Sequence, residues 1–143
     1  HWVKFPILNR SMRRVRLHEL RGFGLQHCVR NGKLPTSDGE ELGYWHFAPT
    51  VLGPALSALS NDESARDKLL DEGLADASQT VVLFLHGMGG TRGLHNRTET
   101  CRALAAQLQC HVLMIDYRGF GDSSGSPSED GLATDALAAW EWL

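Results

Sequence analysis

The part of the sequence that most constrains the fold is residues 80–116, where two apolar runs flank a helical pattern. Residues 80–85 are apolar after the first threonine and rich in β-branched side chains, which is typical of a strand buried on both faces. Residues 110–116 form a second run of the same kind. Between the runs, four residues recur at the spacing of one helix face: Cys101, Leu104, Ala105 and Leu108. Strand, helix and strand at this length predict a right-handed βαβ unit of a parallel sheet.

Residues ahead of this unit predict an antiparallel pair of strands. Residues 41–47 carry large apolar side chains and follow a turn signal at residues 37–39, so they indicate a strand. We expect this strand to pair with residues 24–30. Residues 50–79 are a polar insertion with one short helical candidate at residues 63–70.

The last stretch of the sequence predicts one more helix. Residues 126–129 read Ser-Pro-Ser-Glu, a capping box with proline at the first helical position. Four residues then share one face of that helix: Leu132, Ala136, Trp140 and Leu143. The pattern runs to the last residue, and a doubly wound sheet needs another strand after it. We therefore expect the chain to be a piece of a longer protein.

Charge is divided unevenly along the chain. Residues 1–33 carry eight basic residues and one acidic residue, whereas the remainder carries six and sixteen. We therefore divide the chain into residues 1–35, a basic arm that includes the first strand, and residues 36–143, a partial domain that contains the insertion. Such an arm predicts contact with lipid or nucleic-acid phosphates, or a solvated arm without a partner. Nucleic acid is disfavoured because no aromatic residues alternate with the arginines at positions 13–16.

Composition fits one domain with a buried core. Hydrophobic residues make up 42% of the chain and charged residues 22%, which excludes disordered and low-complexity classes. The longest unbroken apolar stretch, residues 81–85, is far shorter than the ~18–20 residues that cross a bilayer. The three cysteines show no C-x-x-C spacing and no nearby pair of histidines, so we expect no metal site.

A glycine-rich loop, His-Gly-Met-Gly-Gly at residues 86–90, directly follows the first strand of the βαβ unit. Glycines let a backbone approach a reacting carbonyl group, and the free N–H of Met88 would point at the developing oxyanion. The alternative is a glycine turn that only joins strand to helix. A dinucleotide-binding loop fits poorly because the sixth position of G-x-G-x-x-G is Arg92, and no P-loop sequence is present.

A second loop, residues 116–125, reads Asp-Tyr-Arg-Gly-Phe-Gly-Asp-Ser-Ser-Gly. It resembles the D-x-R-G-x-G-x-S signature that follows the fourth strand of α/β-hydrolases. The similarity extends to His-Gly-x-x-Gly-Thr-Arg-Gly in the first loop, Pro-Ser-Glu-x-Gly after the second, and Leu-Gly-Tyr-Trp-His at residues 42–46. The whole string resembles the membrane-anchored serine lipases that cleave lysophosphatidylserine and monoacylglycerol. It covers about residues 24–143 and is strongest over residues 80–143.

This resemblance implies the N-terminal half of an α/β-hydrolase, an antiparallel β pair followed by a parallel βαβ unit, truncated before the nucleophile elbow. In the family's order Ser, Asp and His come later, so we expect the triad beyond Leu143 and the chain alone to be inactive. The intact protein would hydrolyse lipid esters without metal or cofactor, since a Ser-His-Asp triad needs none. The alternatives are a serine exopeptidase of the same fold and a non-catalytic truncated scaffold.

The residues expected to build the site lie in the two loops. The oxyanion loop consists of His86, Gly87 and Met88. The loop expected to support it contributes Asp116, Arg118, Gly119, Gly121, Asp122 and Ser123. We expect Arg118 to tie loops together by ion pairs or by contacts with carbonyl groups. The remaining histidines include no general base, and His46 and His111 are expected on strands.

Ser123 lies in a pentapeptide, residues 121–125, that satisfies the nucleophile-elbow pattern G-x-S-x-G. An elbow places its serine on a sharp turn between a buried strand and the helix that follows at once. Here residues 117–120 separate the strand from the pentapeptide, and a proline delays the helix. We therefore expect Ser123 to hold the backbone in place and not to act as a nucleophile.

The resemblance also implies a location. The lipases in question carry one membrane span ahead of a hydrolase domain that lies on the lumenal side of the endoplasmic reticulum. Asn9 and Asn96 begin N-x-S/T sequons and are candidate glycosylation sites in that compartment. Membrane association would come from a segment preceding the chain, and a lipid substrate is the partner implied. The alternative is a cytosolic membrane surface contacted by the basic arm.

Overall fold

The computed structural model describes residues 16–25, 28–87 and 89–143, which contain a four-stranded sheet. Its strands are β1 (Val29–Pro35), β2 (Glu41–Phe47), β3 (Val81–Phe84) and β4 (His111–Ile115), in the order β1-β2-β4-β3. β2 pairs antiparallel with both β1 and β4, and β4 pairs parallel with β3. The predicted antiparallel pair followed by a parallel βαβ unit is confirmed.

The helices are α1 (Gly53–Ala58), α2 (Glu63–Ala75), α3 (His95–Gln107) and α4 (Glu129–Trp142), with 3-10 turns at Leu20–Phe23 and Thr50–Leu52. α3 is the crossover helix between β3 and β4. α2 continues past the predicted end at residue 70, and its cap Asp62 accepts a hydrogen bond from the Ala65 N–H at 3.0 Å. Among the described residues, no helix has the length and apolar character needed to cross a membrane.

Two apolar layers cover the sheet, one on each face. The layer on the α3 side includes Trp45, Phe47, Cys101, Val112 and Met114. The layer on the α4 side includes Leu42, Tyr44, Leu113, Ile115 and Ala139. β4 contributes alternate residues to both layers, which explains why its sequence is continuously apolar.

The prediction that residues 24–30 pair with β2 is confirmed only at residues 29 and 30, because the first strand extends further along the chain, to Pro35. β1 pairs with β2 in a register that places Leu34 opposite Leu42. A tight turn sets this register: the Thr36 N–H donates to the carbonyl oxygen of Glu40 at 2.8 Å. A short hairpin turn fixes which residues face each other, so the residues directly ahead of it form the partner strand.

Two predictions of burial around the βαβ unit are also wrong. All residues of β3 are half-buried, where the sequence predicted a strand buried on both faces, and Leu85 after it is 42% exposed. Within the described residues, β3 is an edge strand: it pairs with β4 on one side and with no strand on the other. Leu108 follows the end of α3 and is 60% exposed, so it does not continue the buried helix face.

α4 begins later than predicted and buries a different face. Its cap is Ser128, not Ser126, and the Ser128 Oγ accepts a main-chain hydrogen bond of the first turn at 3.1 Å. Its buried residues are Gly131, Asp135 and Ala139. Trp140, on the predicted face, is 68% exposed. The helix takes this rotation because the carboxylate of Asp135 binds Arg118, a polar contact that hydrophobic periodicity does not reveal.

Candidate functional site

Both loops expected to build the site start at the carboxyl ends of parallel strands. The first loop (residues 85–94) follows β3 and the second loop (residues 116–128) follows β4, and these strands pair in parallel. The loops therefore leave the same edge of the sheet. In α/β proteins this edge is where ligands bind.

The first loop depends on two consecutive glycines in the left-handed region. Gly89 and Gly90 have φ angles of +81° and +82°, which other residues adopt only with strain. At Gly90 a Cβ would also lie 2.3 Å from the Leu94 side chain. Gly87 is different, because it is exposed and a Cβ there would meet no atom within 4 Å. The loop is thus tightly turned at residues 89–90 and open beside Gly87.

His86 is buried beneath the first loop and connects it to the second. Its Nδ1 lies 2.9 Å from the carbonyl oxygen of Gly87, and its Nε2 lies 3.3 Å from Oδ1 of Asp116. The ring packs edge-on against Tyr117, with centroids 5.2 Å apart. His86 therefore orients the loop from below. Met88, whose N–H is the predicted oxyanion donor, lies outside the described residues, so that role stays a prediction.

A fully buried arginine joins the two loops to β2. The Arg92 N–H donates to Asp116 at 2.6 Å, and its guanidinium donates to the carboxylates of Asp116 and Asp122 at 2.5 and 2.7 Å. β2 makes room for this cluster at Gly43, where a Cβ would lie 2.0 Å from the Asp122 carboxylate. The ring centroid of Trp45 lies 5.4 Å from the guanidinium carbon, a cation–π contact. Gly43 and Trp45 thus form the β2 side of the Arg92 site.

The charges in this cluster are balanced. Lys33 places its Nζ 3.3 Å from Oδ1 of Asp122, so two cations face two carboxylates. Burial raises the pKa of Asp122, but hydrogen bonds and charge from Arg92 and Lys33 outweigh it and the pKa is lowered. Removing one partner of a buried ion pair typically costs about 3–5 kcal/mol. The cluster therefore holds the first loop firmly against the second.

Ser123 forms part of the main-chain framework of the second loop. It is 5% exposed; its Oγ donates to the carbonyl oxygen of Asp116 at 2.6 Å and accepts from the Gly43 N–H at 2.9 Å. Gly119 and Gly121 give the loop its bends, with φ angles of +76° and +54°. Within the described residues, no side chain that could serve as a base makes a hydrogen bond to the Ser123 Oγ, and a nucleophilic serine needs one.

Arg118 connects the second loop to two other elements. Its guanidinium donates to Asp38 in the turn between β1 and β2 at 2.7 and 2.9 Å, and to Asp135 of α4 at 2.9 Å. Its main-chain N–H also donates to Asp135, at 2.8 Å. The hydrogen bonds from Arg118 are the main cause that lowers the pKa of Asp38 to about 2. The Arg118 side chain thus forms ion pairs that connect the second loop to the β1–β2 turn and to α4.

The other candidates lie away from these loops. Asn96 is exposed in the first turn of α3, and Asn9 lies outside the described residues. His46 and His111 are buried on β2 and β4, with Nε2 of the first 2.8 Å from Nδ1 of the second. The cysteines are free, and the described part of the chain contains no group of three side chains able to hold a metal ion.

Several residues that organise the site carry no recognisable signal in the sequence. Arg92 appears there only as a mismatch to a dinucleotide-binding motif, although it belongs to the Thr-Arg-Gly string of the resemblance. Asp38 and Asp135 lie far from Arg118 along the chain, so no local pattern pairs them with it. Arg97 of α3 contacts the first loop, but in the sequence it is the middle residue of the Asn96 sequon, a pattern that indicates glycosylation and no loop contact.

Comparison with known proteins gives matches in both sequence and structure. Residues 80–141 match the family described as having the alpha/beta hydrolase fold. The lysophosphatidylserine lipase ABHD12 of Gallus gallus is 39% identical over 120 residues, covering 84% of this chain and 29% of that protein. Protein ABHD12B of Homo sapiens is 35% identical over 118 residues, covering 82% of this chain and 30% of that protein. The chain thus spans less than a third of the length of these relatives.

Solved structures share the same fold at lower sequence identity. An alpha-beta hydrolase from Vibrio vulnificus has a TM-score of 0.61 and 21% identity, covering 94% of this chain and 38% of that one. The Pyrococcus furiosus esterase Pf2001 has a TM-score of 0.56 and 18% identity, covering 85% of this chain and 36% of that one. The strand order and crossover of this chain therefore correspond to part of a larger fold.

Proposed function

We propose that the protein containing this chain is a serine hydrolase of lipid esters, because residues 80–141 match the family with the alpha/beta hydrolase fold and the chain is similar to a lysophosphatidylserine lipase. The proposed substrates are lysophospholipids and monoacylglycerols. The observation that carries this proposal is the first loop. It lies at the carboxyl end of β3, is fixed from below by His86 and Arg92, and leaves the backbone at Gly87 open.

The proposed reaction is acyl transfer from the ester to a serine, which breaks the ester C–O bond and releases the alcohol part of the lipid, followed by hydrolysis of the acyl-serine by water. The serine attacks the ester carbonyl, and the negative charge that develops on the carbonyl oxygen is stabilised by main-chain N–H groups of the first loop, with Met88 as the proposed donor. The serine, its base and its acid are proposed to lie beyond Leu143, so the chain alone would not turn over substrate. A Ser-His-Asp triad needs no metal or organic cofactor.

The proposal is tested by comparing substrates on the full-length protein. We expect hydrolysis of lysophosphatidylserine and monoacylglycerol with kcat/KM well above that for aminoacyl amides, and we expect a fluorophosphonate to abolish it. Preference for aminoacyl amides would instead identify a serine exopeptidase of the same fold. Absence of both turnover and fluorophosphonate labelling would identify a non-catalytic protein.

The location proposed for the protein is the membrane of the endoplasmic reticulum, with the hydrolase domain on the lumenal side. The exposure of Asn96 leaves that sequon accessible to glycosylation. Full-length protein in intact microsomes should resist protease and should lose mass on glycosidase treatment. Digestion by the protease together with an unchanged mass would favour the cytosolic surface, where the basic arm would contact anionic lipid.

A further inference from the structure

Arg97 of α3 makes an unusual set of contacts with the first loop. Its Nη2 donates to the carbonyl oxygens of Gly87, at 3.0 Å, and Gly89, at 2.5 Å. Its Nη1 donates to the carbonyl oxygen of Thr91 at 3.1 Å. One guanidinium therefore binds three main-chain carbonyls at alternate positions of a single loop.

The charge of Arg97 is used differently from that of its neighbours on α3 and in the loop. Arg92 is paired with carboxylates, and Arg102, further along α3, pairs with Glu99 at 3.3 Å. Within the described residues, Arg97 makes no ion pair, and its hydrogen bonds all go to main-chain carbonyl oxygens. Ordering a long cationic side chain costs conformational entropy. The hydrogen bonds from Arg97 to the loop carbonyls must offset this cost.

The geometry of the peptide group shows what these contacts achieve. A trans peptide group is planar, and its C=O and N–H point in opposite directions. The carbonyl of Gly89 is turned toward Arg97, so the N–H of Gly90 in the same peptide group points away from the guanidinium. The backbone of the same loop is also open at Gly87, since a Cβ there would meet no atom within 4 Å.

We propose that Arg97 is a positioning residue of the oxyanion loop: it holds the carbonyls of Gly87 and Gly89 so that N–H groups of the loop face the substrate oxygen, and its bond to the Thr91 carbonyl anchors the guanidinium. This inference rests on the proposed function. The guanidinium also places a positive charge behind peptide groups whose N–H ends face the developing negative charge. Donors that are already oriented stabilise a transition state without reorganisation.

The test uses the full-length protein with two matched substitutions on one helix. Arg97→Ala removes the clamp, and Arg102→Ala removes an exposed arginine of α3 whose pair does not touch the loop. Turnover is measured on lysophosphatidylserine and expressed per active site, by titration with a fluorophosphonate. We expect Arg97→Ala to lower kcat about 10- to 100-fold with KM changed only a few-fold, because a misoriented donor loses part of the ~10²–10³ that one donor supplies. Arg102→Ala should match the wild type.

Two further measurements separate positioning from simple loss of structure. Guanidinium ion added to Arg97→Ala should restore part of the lost kcat and should leave Arg102→Ala unchanged. Arg97→Lys, which keeps the charge but lacks the planar fork, should have a kcat below wild type and above Arg97→Ala. If Arg97→Ala yields too little folded protein, Arg97→Lys carries the test alone, and a wild-type kcat would then overturn the inference.

The inference and the proposed function fail in distinguishable ways. Wild-type kcat per active site in Arg97→Ala, or a loss that guanidinium does not restore, would overturn the role of Arg97. If Gly87→Val abolishes turnover in the same assay while Arg97→Ala is fully active, the oxyanion loop stands and only the clamp is wrong. If both variants are fully active, the assignment of the oxyanion loop is wrong as well.

Discussion

Ser123 has its hydrogen-bonding capacity occupied by main-chain groups of two other positions. Its Oγ donates to the Asp116 carbonyl and accepts from the Gly43 N–H, so it continues the connection between β2 and β4 beyond the last ladder pair. A serine used in this way is held in a fixed rotamer and is shielded from solvent. The same pentapeptide pattern in a nucleophile elbow would present an accessible serine hydroxyl to a base.

For Ser123→Ala in the full-length protein, we expect the free energy of unfolding to fall by about 1–3 kcal/mol, because the buried Gly43 N–H loses its acceptor. Fluorophosphonate labelling should be unchanged. Ser124→Ala is the matched control: the Ser124 Oγ accepts from the Glu41 N–H at 2.8 Å, but the residue is exposed, so water replaces it and the loss should be smaller. Chemical denaturation and mass mapping of the labelled serine provide the measurements. Stoichiometric label on Ser123 would contradict this account.

At the scale of elements, β2 and β4 are joined on their α4 side by a buried pair of histidines. His46 and His111 lie with their ring nitrogens 2.8 Å apart. Arg30 of β1 faces them and is itself paired with Asp71 of α2 at 2.6 Å and with Asp67 at 3.8 Å. Burial is the main cause that lowers the pKa of His46 to about 3, with Arg30 and His111 adding to it. Burial and Arg30 also lower the pKa of His111.

These shifts predict acid sensitivity with a definite sign. A histidine whose pKa is lowered by folding binds fewer protons in the folded state, so its contribution is intact above the unfolded value of 6.5 and declines as the pH falls toward 3. For His46 we expect a loss of about 2 kcal/mol of unfolding free energy between pH 7 and pH 5. The measurement is chemical denaturation across that range, which lies above the titration of ordinary carboxylates.

The control compares two histidines of different burial. His46→Gln should reduce the pH dependence between pH 7 and pH 5, since one of the two histidines that take up a proton on unfolding is gone. His95→Gln, at an exposed position of α3, should leave the dependence as it is in the wild type. An equal slope in wild type and His46→Gln would show that the buried pair does not set the acid limit.

The elements that the sequence predicts well are those determined by local patterns. The strand, helix and strand of residues 80–116 follow from periodicity and from glycine placement. β1 begins and ends later in the chain than the sequence predicts, because its position depends on the hairpin register, which the turn at Thr36 and Glu40 decides. The buried face of α4 depends on Asp135 reaching Arg118, a contact between distant residues that no apolar pattern can indicate.

At the scale of the whole molecule, the sheet brings residues from four elements to one edge. Lys33 of β1, Gly43 of β2, Arg92 of the first loop and Asp122 of the second meet there in one charge-balanced cluster. The motifs in the sequence predict which loops meet, because parallel strands end at the same edge. They predict that Arg118 ties loops together, but not that Arg92 does so or which carboxylates bind the two arginines, since such pairings depend on the folded arrangement of the chain.

The central claim is that the backbone beside Gly87 stabilises the oxyanion of an ester substrate. Gly87→Val in the full-length protein tests it most directly, because the structure leaves space for the new side chain and imposes no positive φ at that position. The fold should therefore survive, with a small change in Tm. Gly22→Val is the matched control, at another exposed glycine where a Cβ would meet nothing within 4 Å.

The measurement is kcat on lysophosphatidylserine per fluorophosphonate-titrated active site. We predict that Gly87→Val lowers kcat by ~10²–10³, equivalent to about 3–4 kcal/mol of transition-state stabilisation, because the valine side chain displaces the substrate oxygen from its donor. KM should change far less, since the donor acts mainly on the transition state. Gly22→Val should keep the wild-type kcat. A Gly87→Val protein with wild-type turnover per active site would contradict the account.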